Sequence, residues 1–290
     1  MAAVAAVAVL FVLLSSIGMP ARAICAIVVL LLAFCLPAAK IIARLVEKKP
    51  QTLTIGGASF VGFILAPGVM WILGSGYLFP GIVVPMLPAL ASLAIAYTLA
   101  EGLGRLACIS FGCCYGKPLA KCHPWIRRSL GRYVFVFSGD LKKIAYERAL
   151  AGQGVVPIQA LTSTLYMAVS VAGIFLYLES YYSAALILTT MVTQTWRVLS
   201  ETLRADHRGG GRLSAYQIMA IIAAVYSAML PFLLGGAALP PPDLRTGLVS
   251  LWDPAVLLFL QFVGLVSFLF TGRSMVTAST LSFHLFKERI

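Results

Sequence analysis

The chain has 290 residues, 60% of them hydrophobic and 11% charged, with mean hydropathy +0.95 and a formal net charge of +12. Soluble globular domains carry about 25% charged residues, so the composition excludes a water-soluble domain and indicates a polytopic membrane protein with the bilayer as its main solvent. Only ten acidic residues oppose the Lys and Arg; no aromatic-and-basic nucleic-acid motif goes with the excess, which suits anionic lipid headgroups instead.

Hydropathy predicts an all-α protein of about eight membrane helices, a single membrane-embedded domain over 1–290. Residues 1–17 are apolar, and Ala21-Arg22-Ala23 resembles a signal-peptidase site, but a basic n-region is missing; a short first membrane helix is expected. The second span covers 23–45, with a kink expected at Pro37 and a basic end at Lys40, Arg44, Lys48 and Lys49. Leu53–Leu73 is the third, opening on glycines. The fourth, Phe79–Leu103, carries Pro85 and Pro88, which membrane helices tolerate when neighbours satisfy the freed carbonyls.

That fourth span runs into Glu101-Gly-Leu-Gly-Arg-Leu-Ala-Cys-Ile-Ser-Phe-Gly-Cys-Cys-Tyr-Gly116. Glycines at 102, 104, 112 and 116 predict a backbone that leaves the helix here. Arg105 stands in the expected break beside Glu101, and Cys108, Cys113 and Cys114 follow. A charge at a glycine-bearing helix end either snorkels to the interface or presents chemistry to a headgroup. Cys25 and Cys35 lie in apolar runs and read as packing residues.

Lys117–Val156 is the longest polar region, and 104–156 is expected to form a small interfacial head, basic and aromatic, between spans four and five. Tyr133 to Phe137 alternates weakly, as a short strand would. Pro157–Leu178, Ser183–Leu203 and Leu213–Leu234 are spans five to seven. The loop from Arg204 to Arg212 holds a Gly209-Gly210-Gly211 hinge. Residues 235–290 add a Pro/Gly-rich connection, an eighth span at Leu251–Thr271 and a tail ending Lys287-Glu288-Arg289.

The sixth span supplies a second charged site. Arg197, Glu201 and Arg204 are spaced i, i+4, i+7 and share one helix face. Charges inside a span normally face the bundle interior or a polar pathway. Spans four and six run in the same direction, so Arg105 and Arg197 fall on the same side of the membrane. Two guanidinium groups facing one cavity suit a phosphate ester, which each can bind bidentately.

Four features in chain order resemble the prolipoprotein diacylglyceryl transferase family. They are Gly56-Gly57-Ala58-Ser59-Phe60-Val61-Gly62; Gly104-Arg105 through Gly112 to Gly116; Pro157-Ile158-Gln159; and Arg197 with Glu201 and Arg204, followed by Leu213-Ser214-Ala215-Tyr216-Gln217. The resemblance covers about 53–234 of this sequence. It implies a multi-pass enzyme of the bacterial inner membrane that moves the diacylglyceryl group of phosphatidylglycerol onto a prolipoprotein lipobox cysteine and releases glycerol phosphate. By that resemblance Arg105, Arg197 and Glu201 are catalytic, and Gly104, Gly112, Gly116, Arg204, Gln159, Gly57 and Ser59 bind substrate. No cofactor is implied.

The sequence also departs from that pattern. The family's third-span histidine falls on Val61, its signature-loop asparagine and glutamate on Cys108 and Cys113, the histidine of its His-Pro segment on Val156, and a tyrosine on Leu161. The phosphate-binding residues match better than those around the thiol, so an acceptor other than a prolipoprotein is the alternative, with Cys108 and Cys113 candidates for a thiol role. The eighth span is extra. Lys and Arg concentrate in loops that the positive-inside rule assigns to the cytoplasm, whereas the family displays its signature loop outside; the family's orientation is kept. Two other functions fit. One is a non-catalytic lipid-binding protein. The other is a thiol or zinc protein using Cys108, Cys113, Cys114, Cys122 and His123, whose spacing lacks the usual C-x2-C pair, so no metal ligand is assigned.

Overall fold

The structure, a computed structural model, describes residues 1–48, 54–76, 80–81, 83–140, 142–205, 213–235 and 240–272. Lys49, the start of the third predicted span, the 209–211 hinge and the charged tail lie outside the described residues. The rest is mostly helical: α1 Ala2–Ser16, α2 Ala21–Glu47, α3 Ile55–Gly74, α4 Met86–Phe111, α5 Pro124–Leu130, α6 Lys143–Arg148, α7 Ile158–Leu178, α8 Tyr182–Leu203, α9 Ala215–Leu234, α10 Leu244–Ser250 and α11 Pro254–Gly272. This is an all-α, membrane-embedded protein.

Among the described residues, α2, α3, α4, α7 and α9 are long and apolar enough to cross a membrane, and α10 with α11 makes a sixth if that pair, bent by 68°, is one span. α1 is apolar but has 15 residues, about 22 Å at the helical rise, short of a bilayer's apolar thickness of about 30 Å. It lies instead in the core. Phe11, Leu13 and Leu14 are buried, and α1 packs on α4, α10 and α11. A Cβ on Gly247 would stand 2.3 Å from the Val12 carbonyl oxygen, so α10 crosses α1 where a side chain cannot fit. The C-terminal helices are thereby built into the core beside the N-terminal one. Large apolar side chains such as Trp71, Phe175, Phe232 and Phe268 face outward, as lipid-facing surfaces do.

α8 is less apolar than these helices for a visible reason. Thr189, Thr190, Thr193, Gln194, Arg197 and Ser200 are buried within it. The threonines satisfy their hydroxyls on carbonyls one turn back, at 2.7, 2.6 and 2.7 Å. α8 packs on α4, α7 and α9, which lets a polar helix sit inside an apolar bundle.

α2 runs from Ala21 through Pro37 to Glu47. One expectation needs correction: α4 does not break at Gly102 or Gly104. It begins at Met86, with Pro85 as its cap, and continues to Phe111, ending at Gly112 with φ +60°. Gly102 serves close packing, since a Cβ there would meet Tyr166 Cβ at 3.2 Å, and Glu101 beside it pairs across the bundle with Arg197. The head therefore starts after Gly112. Phe135–Val136 pairs antiparallel with Gly154–Val155, in agreement with the expected short strand. Tyr115, Phe137, Ile144 and Val155 form a small second core. Trp125 and Tyr133 are exposed on the head.

Candidate functional site

Two stripes of polar residues face each other where α4 and α8 end. On α4, Glu101, Arg105 and Cys108 are spaced i, i+4, i+7; on α8, Arg197, Glu201 and Arg204 repeat the spacing. All six line one pocket of about 90 Å³, together with Thr54, Ile55, Gly56, Gly104, Cys114, Tyr166 and Ser200. A site that holds a water needs about 10–15 Å³ on the same kind of measure, so the pocket has room for several waters or a small polyatomic group and not for a whole lipid.

At its centre is the Glu101 carboxylate, 3% exposed. Arg105 Nη2 donates to Glu101 Oε1 at 2.6 Å. Arg197 Nη2 and the Tyr97 hydroxyl both donate to Glu101 Oε2, and Arg197 Nη2 also reaches the Tyr97 oxygen at 2.5 Å. The Nε atoms of Arg105 and Arg197 are buried and have no hydrogen-bond partner among the described residues. Three arginines and two carboxylates line the pocket, a formal +1 before the Cys114 thiol is counted. An excess of guanidinium groups in a low-dielectric surrounding favours an anion.

The supports are specific. A Cβ on Gly56 would stand 2.6 Å from Arg197 Nη1, so the missing side chain is what lets α3 close over the guanidinium. Tyr166 on α7 donates to the Thr193 carbonyl at 2.8 Å, holding α7 against α8. After Gly112, the chain is stitched to the end of α8: Lys117 N–H donates to Leu203 O at 2.8 Å and Ala205 N–H to Tyr115 O at 3.2 Å. A Cβ on Gly116 would lie 2.4 Å from the Val156 carbonyl oxygen.

The predicted residues thus divide into two groups. Arg105, Arg197, Glu201, Arg204, Gly104 and Cys108 share the pocket. Gly112 and Gly116 shape the turn and its docking. Gly57 packs on Ile42, Ser59 donates to Gly56 O at 3.0 Å, and Gln159 Nε2 donates to Cys113 O at 2.9 Å; none of the three lines the pocket. Cys113 stands against Cys108 and Cys114, with each of these sulfurs within 4.8 Å of the others. Cys122 is directed instead at Pro118 O, and His123 Nδ1 accepts from the Trp125 N–H. Hydrogen bonds from Cys108 and Cys113, then the charges of Arg204 and Arg105, hold the Cys114 thiol well below its usual range against the effect of burial. Cys113 is pushed up, first by its hydrogen bond with Cys108.

Sequence reasoning missed the role of Glu101, although the residue stood beside Arg105. Its i, i+4 spacing to Arg105 was the available signal. Tyr97 and Tyr166 gave none, because tyrosines on apolar helices read as packing.

Fold and pocket together define an α-helical membrane protein with a buried, net-positive site between two of its inner helices. No family model, curated protein or solved structure matches the chain.

Proposed function

We propose that this chain is a phospholipid-dependent membrane transferase that moves the diacylglyceryl group of phosphatidylglycerol to an acceptor thiol, foremost the lipobox cysteine of a prolipoprotein. The observation that carries the reading is the convergence of Arg105 and Arg197 on Glu101 in a buried pocket that also holds Arg204. Fixed guanidinium groups in a dry site stabilise charge that develops on a departing phosphate. In the reaction, the acceptor thiol loses its proton to water, its sulfur bonds to the glycerol carbon, and the carbon–oxygen bond to phosphate breaks with the electron pair going to the phosphate oxygen. Glu101 holds the two arginines in place and keeps the pocket only mildly positive, so that the product can leave.

The same proposal adds crossings by α8 and by the α10–α11 pair to those of the five apolar helices, with the 15-residue α1 buried among them as a partial span. It places the protein in a bacterial inner membrane with the head against anionic headgroups. Exposed Trp125 and Tyr133 on a basic head suit that interface.

The test is incubation of the purified protein in vesicles containing labelled phosphatidylglycerol with a lipobox peptide. Release of glycerol phosphate and a peptide mass gain of one diacylglyceryl group are expected, and both should vanish in Arg105→Ala. Headgroup release without peptide modification would transfer the reading to another acceptor. Phosphatidylglycerol binding that depends on Arg105 but gives no release would make the protein a lipid-binding one.

A further inference from the structure

Three cysteines far from ordinary packing sites remain unexplained by phosphate binding. Cys108 sits at the last turn of α4, and Cys113 and Cys114 follow its cap. All three thiols are free and partly buried, and each sulfur lies within 4.8 Å of the other two. Cys108 Sγ and Cys114 Sγ are 4.0 Å apart, well beyond a disulfide bond of about 2.05 Å.

The backbone is shaped to bring them together. Consecutive side chains of an extended segment point to opposite sides. Cys114 escapes that alternation by adopting φ +53°, in the left-handed region that non-glycine residues seldom occupy. Gly112 turns the chain just before, also with positive φ. The loop is held on one side by Gln159 Nε2 on the Cys113 carbonyl and on the other by the bonds from Tyr115 and Lys117 to the end of α8. Cys25 and Cys35 instead lie in α2 among apolar residues. Cys108 and Cys114 line the arginine pocket.

We propose that Cys108, Cys113 and Cys114 are a three-thiolate site for a thiophilic d10 cation, zinc(II), with its fourth position open to the arginine pocket. Zinc–sulfur bonds of about 2.3 Å in tetrahedral geometry place sulfurs about 3.8 Å apart. The spacing already present needs a closure of less than about 1 Å to reach that geometry. Three thiolates around a divalent cation leave one negative charge, and the Arg105 and Arg204 guanidinium groups on the same pocket offset it. Three protein ligands with a free fourth position are the pattern of reactive rather than structural zinc. Resting on the transferase reading, that position takes the acceptor sulfur as a thiolate after its proton passes to water, next to the phosphate that will leave.

The site is tested on the intact, reduced protein without reference to lipid turnover. Purification without chelator should yield about one zinc per chain. After stripping and loading with cobalt(II), a thiolate-to-cobalt absorption band should appear in the near ultraviolet. Zinc retention should weaken by about tenfold or more in Cys108→Ser and in Cys113→Ser, at least the loss that follows removal of outer-shell partners elsewhere, and should be unchanged in Cys122→Ser. Adding a small thiol should shift the visible cobalt bands. Wild-type protein that takes up neither zinc nor cobalt would overturn the proposal whatever the variants do, and so would metal retained equally by the triple serine variant. A cobalt band that a thiol leaves unmoved would retain the metal and remove the open position. Zinc bound by a protein that releases no glycerol phosphate would leave this site standing and the transferase reading fallen.

Discussion

Arg197 on α8 and Glu101 on α4, separated by 96 positions, form a buried ion pair that ties together the two inner helices. Arg105 bonds the same carboxylate from within α4. The two arginines therefore differ in role. Arg197 is a cross-helix tie with a side chain 8% exposed, whereas Arg105 is a local i, i+4 pair and 15% exposed. A ligand entering the pocket reaches Arg105 at less structural expense.

Glu101→Ala should therefore be the most destabilising polar substitution in the bundle. Removing one partner of a buried ion pair costs about 3–5 kcal/mol, because the other charge stays buried and unpaired, and here two guanidinium groups are stranded. Thermal unfolding in detergent micelles should show a large loss for Glu101→Ala. The double variant Glu101→Ala, Arg197→Met should lose less than the sum of its parts. Wild-type melting of Glu101→Ala would mean that the carboxylate organises nothing.

Arg105 and Arg197 should separate when stability and turnover are measured together. Arg105→Ala should lose less stability than Arg197→Ala, because Glu101 keeps its bonds to Arg197 and Tyr97, while glycerol phosphate release falls by at least about a hundredfold, the loss typical of removing one fixed donor to a developing anion. Arg105→Lys should recover little, because an ammonium cannot form the same fork. Arg197→Ala should lose both turnover and stability. Full turnover in Arg105→Ala would remove the phosphate clamp.

The unequal legibility of the two stripes has a physical cause. Arg197, Glu201 and Arg204 stand out because charges inside an apolar segment are rare and their period is helical. Glu101, Arg105 and Cys108 have the same period, yet Gly102 and Gly104 made the segment look like a helix end. Glycine weakens a helix by only about 1 kcal/mol, and tertiary packing on Tyr166 and Met167 outweighs it. Contacts between distant helices are not encoded in any one segment's period. That is why the Glu101–Arg197 pair, the seat of α10 on α1 and the burial of polar α8 emerged only with the fold. The cysteines were visible as a group with Cys122 and His123, but that only Cys108, Cys113 and Cys114 converge was not, because this depends on the positive φ of Cys114, which spacing alone does not report.

Glu201 lines the pocket beside Arg197 and Arg204 without being the carboxylate that joins the helices. Glu201→Gln should lower headgroup release with little change in melting, because it weakens the placement of charge and leaves the Glu101 network whole. A double-mutant cycle with Arg204→Gln should give a coupling of about 0.5 kcal/mol or more, as contacting residues in one network do. Additive effects on release would assign Glu201 to the rim of the pocket with no part in holding Arg204.

Glycine substitutions offer a test that leaves every charge in place. Gly56 and Gly104 both line the pocket, yet they differ sharply in the room around them. A Cβ on Gly56 would lie 2.6 Å from Arg197 Nη1 and 3.2 Å from Tyr216 Cδ1, whereas a Cβ on Gly104 would meet nothing within 4 Å. Gly104 is interior to α4, where alanine is favoured over glycine by about 1 kcal/mol. Gly104→Ala should accordingly melt at or above the wild-type temperature and keep its turnover. Gly56→Ala must displace the Arg197 guanidinium, since the nearest atom belongs to that side chain, and so should pull it away from Glu101. Headgroup release should fall while Arg197, Glu101 and Arg105 are all still present, and removing the ring beside the new methyl, in Tyr216→Ala, should not restore it. If Gly56→Ala retains wild-type release, Arg197 either has a second productive position or does not act on the phosphate. A Gly104→Ala variant that loses release with its melting unchanged would instead show that the substrate occupies the space above Gly104, placing the lipid glycerol between the two helix stripes.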